Sequence, residues 1–190
     1  MIKEHTRLFT NSGCAAMGYG LPAAVGVCVS RRGGRTICIE GDGSLQMNIQ
    51  ELQTVFQNRL DIKIFVLNNR GYHSIRQTQG NMFPDRCMVG VGEESGDLSF
   101  PELERIAYAY RLPYIRISDA QSVEDGVRKA LMVSGPVIVE AVVDPGQPFA
   151  PKLSARRLAD GTMVSPSLED MSPFLPQEEI AALRREAESL

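Results

Sequence analysis

Two short apolar runs, each closed by a polar turn, constrain this chain more than any other feature. Thr36-Ile37-Cys38-Ile39-Glu40 leads into Gly41-Asp42-Gly43-Ser44, and Ile62 to Leu67 leads into Asn68-Asn69-Arg70-Gly71-Tyr72. Ile37, Ile39, Ile62, Ile64 and Val66 are β-branched residues in short runs bounded by turn signals, the pattern of buried strands in a parallel sheet. Between them, residues 48–58 carry Ile49, Leu52, Val55 and Phe56 at helical spacing, so the unit reads as strand, helix, strand.

A right-handed crossover ends both strands on one edge of the sheet, and that edge then carries Asp42 and Asn69 together. Ligands of open α/β sheets sit beyond the carboxyl ends of the strands. A carboxylate with an amide oxygen is a hard donor set suited to Mg²⁺. Gly41 and Gly43 leave the backbone bare, so main-chain N–H groups and the Ser44 hydroxyl are expected to approach a phosphate as the next helix begins. Gly-Asp-Gly by itself is also an ordinary turn; its coupling to Asn68-Asn69 carries the reading.

The paired motif resembles the diphosphate-and-metal motif of thiamine diphosphate (ThDP) enzymes. The run from Gly41 to Leu52 is similar to the acetolactate synthase branch of the pyruvate-oxidase-like group. The resemblance covers residues 7–150 and implies a C-terminal diphosphate-binding domain. Its fold would be α/β, a doubly wound and mostly parallel sheet with helices on both faces, over residues 1–146. An extended tail and a terminal helix follow over residues 147–190, and the domain is expected to begin after its usual first strand. The resemblance also implies the cofactors ThDP and Mg²⁺. The Asp42 and Asn69 side chains and the Gly71 carbonyl would hold the metal; Gly41, Gly43, Ser44, Tyr72, His73 and Ser74 would meet the diphosphate. Upstream, Ser12 to Ala24 is similar to the segment that holds the aminopyrimidine. Met17 would wedge beneath the bent cofactor, and the Ala15 carbonyl would accept from its amino group.

The implied activity is decarboxylation or carboligation of 2-oxo acids in a homo-oligomer. The activating glutamate would come from a pyrimidine-binding domain of another subunit or chain, so little turnover is expected from this chain alone. Thr78 stands where acetolactate synthases usually carry Trp, and the chain has no Trp. The substrate preference of that enzyme therefore does not carry over. No site for FAD is expected.

Other readings stand beside this one. His73 reads either as an acid/base group, since imidazole titrates near neutrality, or as a hydrogen-bonded bystander. Gly18-Tyr19-Gly20-Leu21-Pro22-Ala23 satisfies the G-x-G-x-x-A fingerprint of nicotinamide dinucleotide sites, with Glu40 about 20 residues on as the ribose acid. Against it, residues 11–17 separate the fingerprint from any preceding strand, and Pro22 would sit in the phosphate-facing turn. A third reading is a non-catalytic remnant that self-associates through an open sheet edge.

The net charge of −3 with scattered Lys and Arg gives no basic face for nucleic acid. Cys14, Cys28, Cys38 and Cys87 form no CxxC pair, which suits a reducing cytoplasm. Residues 13–30 read as a small-residue helix, and Gly18, Gly20 and Pro22 make it a poor membrane span. Residues 7–10 read as a strand after which Asn11-Ser12-Gly13 turns; residues 70–79 read as a loop at the cofactor's reacting end and 80–97 as a mobile loop over the site. Helices are expected over 99–110, with Pro101 in the first turn, over 122–133 and over 177–189. Strands are expected over 114–117 and 136–143, and an extended tail over 147–176.

Overall fold

The computed structural model describes residues 5–11, 14–32, 34–83 and 85–188. These fall into two compact units, Met1–Pro145 and Gly146–Leu190. In chain order the first unit runs α1 (Gly20–Ser30), β1 (Thr36–Gly41), α2 (Asp42–Gln46), α3 (Glu51–Gln57), β2 (Ile62–Asn68) and α4 (His73–Met82), then α5 (Leu103–Ala109), β3 (Tyr114–Ile117), α6 (Val123–Met132) and β4 (Val137–Val142).

The four strands form one sheet in the order β1-β2-β4-β3, and every pairing is parallel. All strands therefore end on the same edge, with Gly41 beside Leu67 and Asn68 beside Val142. Helices cover both faces. Leu21 and Cys28 of α1, Leu52 and Val55 of α3 and Leu103 of α5 pack on Ile62, Ile64, Val66 and Ile138. On the other face Ala130 of α6 meets Val137, Val139 and Ile117. Gly126 lets α6 lie close on β3, because a Cβ there would fall 2.5 Å from Ile117 Cγ1. This is the α/β arrangement expected, and the burial of aliphatic side chains at about 1.5–3 kcal/mol each drives it.

Local expectations change in five places. Burial along β1 alternates: Cys38 is buried, whereas Ile37 is 54% and Ile39 66% exposed. The cause is topological, since β1 is an edge strand and α6 packs over β3 and β4, leaving the outer side of β1 uncovered. The helix expected over 13–30 starts only at Gly20; residues 14–19 wind through a turn with Ala15 at φ +46° and Gly18 at φ +85°. Residues 7–10 form no strand, and Ser12 and Gly13 lie outside the described residues. The loop expected over 70–79 becomes α4 from His73 onward. Finally, α5 starts at Leu103 after an extended Glu102, so Pro101 precedes the helix.

Lys63 explains how a lysine sits inside an apolar strand. Its fully buried ammonium donates to Asp61 Oδ1 (2.6 Å), Val133 O (2.6 Å) and Gly135 O (2.5 Å), which satisfies all three protons.

The second unit is more ordered than an extended tail. It contains an antiparallel pair, β5 (Arg156–Arg157) with β6 (Met163–Val164), and α7 (Gln177–Glu188). Buried Asp170 accepts from Arg156 Nη2 (3.3 Å) and from Gln177 Nε2 (3.1 Å), and the Arg156 guanidinium lies 4.3 Å from the Phe174 ring centroid. These long-separated polar and aromatic contacts leave no periodic trace in sequence. Among the described residues no helix is long and apolar enough to cross a membrane.

Candidate functional site

The site forms where β1 and β2 end. Gly41 is extended (φ −80°, ψ 156°) and the chain then turns at once into α2, which begins with Asp42. The parallel register holds this turn beside the turn that follows β2. Asp42 is buried, and its Oδ2 accepts the Gly71 N–H at 3.1 Å. Its Oδ1 is buried with no hydrogen-bond partner, and so is Asn69 Oδ1. Burial pushes the Asp42 carboxyl above its ordinary value, opposed by N–H groups from Gly43 and Gly71. A buried carboxylate oxygen and a buried amide oxygen, both without a hydrogen-bond partner on the turns of adjacent strands, are donors suited to a cation. Among the described residues no cluster of three His, Cys, Asp or Glu forms, so the donor set is one carboxylate with neutral oxygens, which fits a hard divalent ion.

The segment after Asn69 is held by close backbone contact. Gly71 and Gly92 form an antiparallel bridge, and Tyr72 N–H donates to Val91 O at 2.7 Å. A Cβ on Gly71 would lie 2.1 Å from Val91 O, and one on Gly92 would lie 2.3 Å from Arg70 O. Only glycines allow this approach. Arg76 clamps the same loops: its guanidinium makes two bonds to Glu94 and one to His73 Nδ1 at 3.2 Å. The guanidinium has no lone pair to offer, so Nδ1 accepts and the ring proton sits on Nε2. Arg76 also holds the Glu94 carboxyl below its usual range. The Tyr72 ring lies over Gly43, where a Cβ would come within 2.4 Å of it, and meets Phe100 edge-on at 5.5 Å. Ser74 is exposed in the first turn of α4.

Upstream, the turn before α1 is stapled to the end of β1. Ser44 Oγ accepts the Gly18 N–H (2.8 Å) and donates to Glu40 Oε1 (2.7 Å), and Asn48 Nδ2 donates to Gly18 O (2.8 Å). The hydroxyl expected to meet a phosphate is thus engaged in the framework. Glu40 in turn accepts the N–H groups of Gly20 (3.2 Å) and Leu21 (3.0 Å). That arrangement removes the dinucleotide reading, because the N–H groups a pyrophosphate would need are already capped by the carboxylate that should have bound the ribose. Ala15 and Met17 lie in this stapled turn, and Met17 is 40% exposed.

Sequence reasoning placed Asp42, Asn69 and Gly71 together and missed Arg76, Glu94 and Gly92. Arg76 stands one helical turn after His73, a usable signal. Glu94 is 18 residues further on, beyond any local pattern.

The family model described as "Thiamine pyrophosphate enzyme, C-terminal TPP binding domain" matches residues 1–141. The acetolactate synthase large subunit of Cyanidium caldarium is 34% identical over 140 residues, covering 74% of this chain and 23% of that protein. Acetolactate synthase of Arthrospira platensis is 39% identical over 137 residues, 72% of this chain and 23% of the relative. Chloroplastic acetolactate synthase 2 of Zea mays is 32% identical over 143 residues, 74% and 22%. The chain thus spans less than a quarter of the length of these relatives. With a parallel sheet whose β1 and β2 turns carry Asp42, Asn69 and Gly71, and a family match over most of its length, the chain belongs to the thiamine pyrophosphate enzymes, as their C-terminal TPP-binding domain.

Proposed function

We propose that this chain is the diphosphate-binding part of an acetolactate-synthase-like enzyme, holding ThDP through Mg²⁺ and acting on 2-oxo acids with a pyrimidine-binding domain. The observation that carries this reading is the pair of buried oxygens without partners, Asp42 Oδ1 and Asn69 Oδ1, on the turns of adjacent parallel strands. With the Gly71 carbonyl they suit a small cation whose remaining positions go to water and phosphate oxygens. Such a cation offsets the desolvation of Asp42. Gly41, Gly43, the Ser44 main chain, Tyr72 and Ser74 would line the diphosphate, and Ala15 and Met17 would take the aminopyrimidine end.

Bound there, ThDP supplies the electron sink for decarboxylation and carboligation of a 2-oxo acid. The chain's own part is binding and orientation. His73, with its proton on Nε2, is a donor suited to an anionic oxygen rather than a base. The activating carboxylate belongs to the pyrimidine-binding domain. The four free cysteines are in keeping with a reducing, cytoplasmic setting.

Calorimetric titration of ThDP into the purified chain, with and without Mg²⁺, tests the reading. Mg²⁺-dependent binding that Asp42→Ala abolishes supports it; affinity indifferent to Mg²⁺ or to that substitution overturns the metal site. Robust turnover of pyruvate by the chain alone would overturn the need for a partner domain. Exposed Ile37 and Ile39 on edge strand β1 favour a second reading, association of copies through that edge. A strictly monomeric species in light scattering at high concentration would count against it.

A further inference from the structure

A row of polar groups crosses three adjacent strands of an otherwise apolar sheet and ends at the metal turn. It starts on β3, where the Tyr114 hydroxyl donates to Glu140 Oε2 on β4. Glu140 is buried in the middle of that strand, and its Oε1 accepts from Asn68 Nδ2 at 2.5 Å on β2. The Asn68 Oδ1 then accepts the Arg70 N–H at 3.0 Å. The Arg116 guanidinium, 3.7 Å from Glu140 Oε2, is the countercharge. Burial and the Glu140 carboxylate push the Tyr114 hydroxyl well above its ordinary pKa, so it stays a donor.

The direction of each bond is forced. An ionised Glu140 only accepts, so the Asn68 amide must turn its NH₂ inward and its oxygen toward Arg70. Arg70 is at φ +58°, an unfavourable conformation for a side-chain-bearing residue, and its N–H is the bond that pins this turn. Asn69 and Gly71 flank Arg70. A buried carboxylate in a β-strand is costly unless it is paired and hydrogen-bonded, and Asn68, Tyr114 and Arg116 supply those partners.

We propose that Glu140 is a positioning residue for the cofactor site: through Asn68 it locks the turn that presents the Asn69 amide oxygen and the Gly71 carbonyl to a divalent cation. This rests on the proposed Mg²⁺–ThDP reading and adds to it a buried relay that touches neither metal nor cofactor. Groups one shell removed from metal ligands typically alter metal affinity about 10–100-fold.

The row allows a swap that keeps every hydrogen bond. In Glu140→Gln alone, the amide oxygen can accept from only one neighbour, so either the Asn68 NH₂ faces a second NH₂ or the Tyr114 hydroxyl must reverse to accept, and in both cases the charge facing Arg116 is gone. In the double variant Asn68→Asp/Glu140→Gln, the new amide donates to the new carboxylate, which still accepts from Arg70 N–H, while the amide oxygen still accepts from Tyr114. The experiment titrates Mg²⁺ at fixed ThDP, following calorimetric heat and the melting temperature of the apo chain separately. The single variant is expected to need about tenfold more Mg²⁺ for half-saturation, and the double variant to return within about threefold of wild type.

A merely structural role would lower the apo melting temperature and leave the Mg²⁺ midpoint unmoved, and that result overturns the proposal. So does a double variant no better than the single one. If the single variant does not fold, the double variant carries the test: a near-wild-type midpoint supports the relay and a lost response overturns it. Absence of any Mg²⁺-dependent binding in the wild-type chain is a different result, which overturns the cofactor reading and this inference with it.

Discussion

Asp42 accepts the Gly71 N–H at 3.1 Å across the gap between the turns after β1 and β2, while its other oxygen is buried with no partner. One half of the carboxylate ties two turns together, and in the proposed reading the other half would meet the metal. Function and stability therefore pull this residue in opposite directions.

Asp42→Asn should separate the two. The amide oxygen can still accept from Gly71, and a buried charge only partly compensated by backbone N–H groups is gone, so the apo chain is expected to gain about 1 kcal/mol, or about 2–4 °C in melting temperature. Mg²⁺ with ThDP should raise the melting temperature of the wild-type chain and not of the variant. Thermal melts with and without both ligands check this; an apo variant less stable than wild type would show that the carboxylate is compensated from within the protein.

Glu40 gives a prediction of opposite sign. Its carboxylate collects three donors, the N–H groups of Gly20 and Leu21 and the Ser44 hydroxyl. Glu40→Gln sets an NH₂ among them and is expected to cost about 2–3 kcal/mol in urea unfolding. ThDP affinity should fall with it, because the Ala15–Met17 turn loses its staple through Ser44 and Gly18. NADH fluorescence should not be enhanced in either form. Enhancement in the wild type would mean that the helix end is open to a dinucleotide after all.

The contrast between these residues shows what could be read from the chain. Asp42 and Asn69 were legible because right-handed crossovers are nearly obligatory, so two strands in sequence deliver their following turns to one edge. The apolar runs were legible for the same reason that they are buried. Ile37 and Ile39 were misread because β-branched content marks a strand but not its place in the sheet, and the edge position emerged only from the order of four strands. The turn at residues 14–19 was hidden by alanines, good helix formers overruled by three side chains: Ser44 and Asn48 bind Gly18, and Glu40 caps Gly20 and Leu21 where α1 begins. Likewise α4 was hidden by Gly71 and by a polar composition, since the helix is held by Arg76 to Glu94 rather than by an apolar stripe.

Cys38 carries the clearest pH dependence. Burial on β1, reinforced by nearby Glu40, pushes its thiol from 9.0 to about 12. A folded-state pKa raised above the unfolded value contributes stability that is present below pH 9 and is lost as pH rises toward 12, by at most about 1.4 kcal/mol per pH unit. Cys38→Val, similar in size and well suited to a strand, is expected to lose less stability than wild type between pH 9 and 11. At pH 8.5 iodoacetamide should modify exposed Cys14 and Cys87 and spare Cys38 until the chain unfolds. Parallel alkaline melts of the two proteins would count against the assignment.

Arg76 is where the loop clamp and the ring chemistry meet. Its guanidinium is buried, binds Glu94 through two nitrogens and turns the third toward His73 Nδ1. Because Glu94 is held below the ordinary carboxylate range, this contribution is present above that range and lost as pH falls through the lowered value, so the clamp should persist at pH 5. Glu94 is well exposed, which limits the stability involved; Arg76→Met is expected to cost about 1–2 kcal/mol. The specific consequence is electronic. Without the Arg76 donor, Nδ1 can also carry the ring proton, and nitrogen-15 spectra should shift from a single Nε2–H tautomer toward a mixture. ThDP affinity should fall in step, since a ring that presents a lone pair toward an anionic oxygen repels it. An unchanged tautomer in Arg76→Met would mean that another contact orients His73, and the donor role assigned to the ring would then rest on that contact instead.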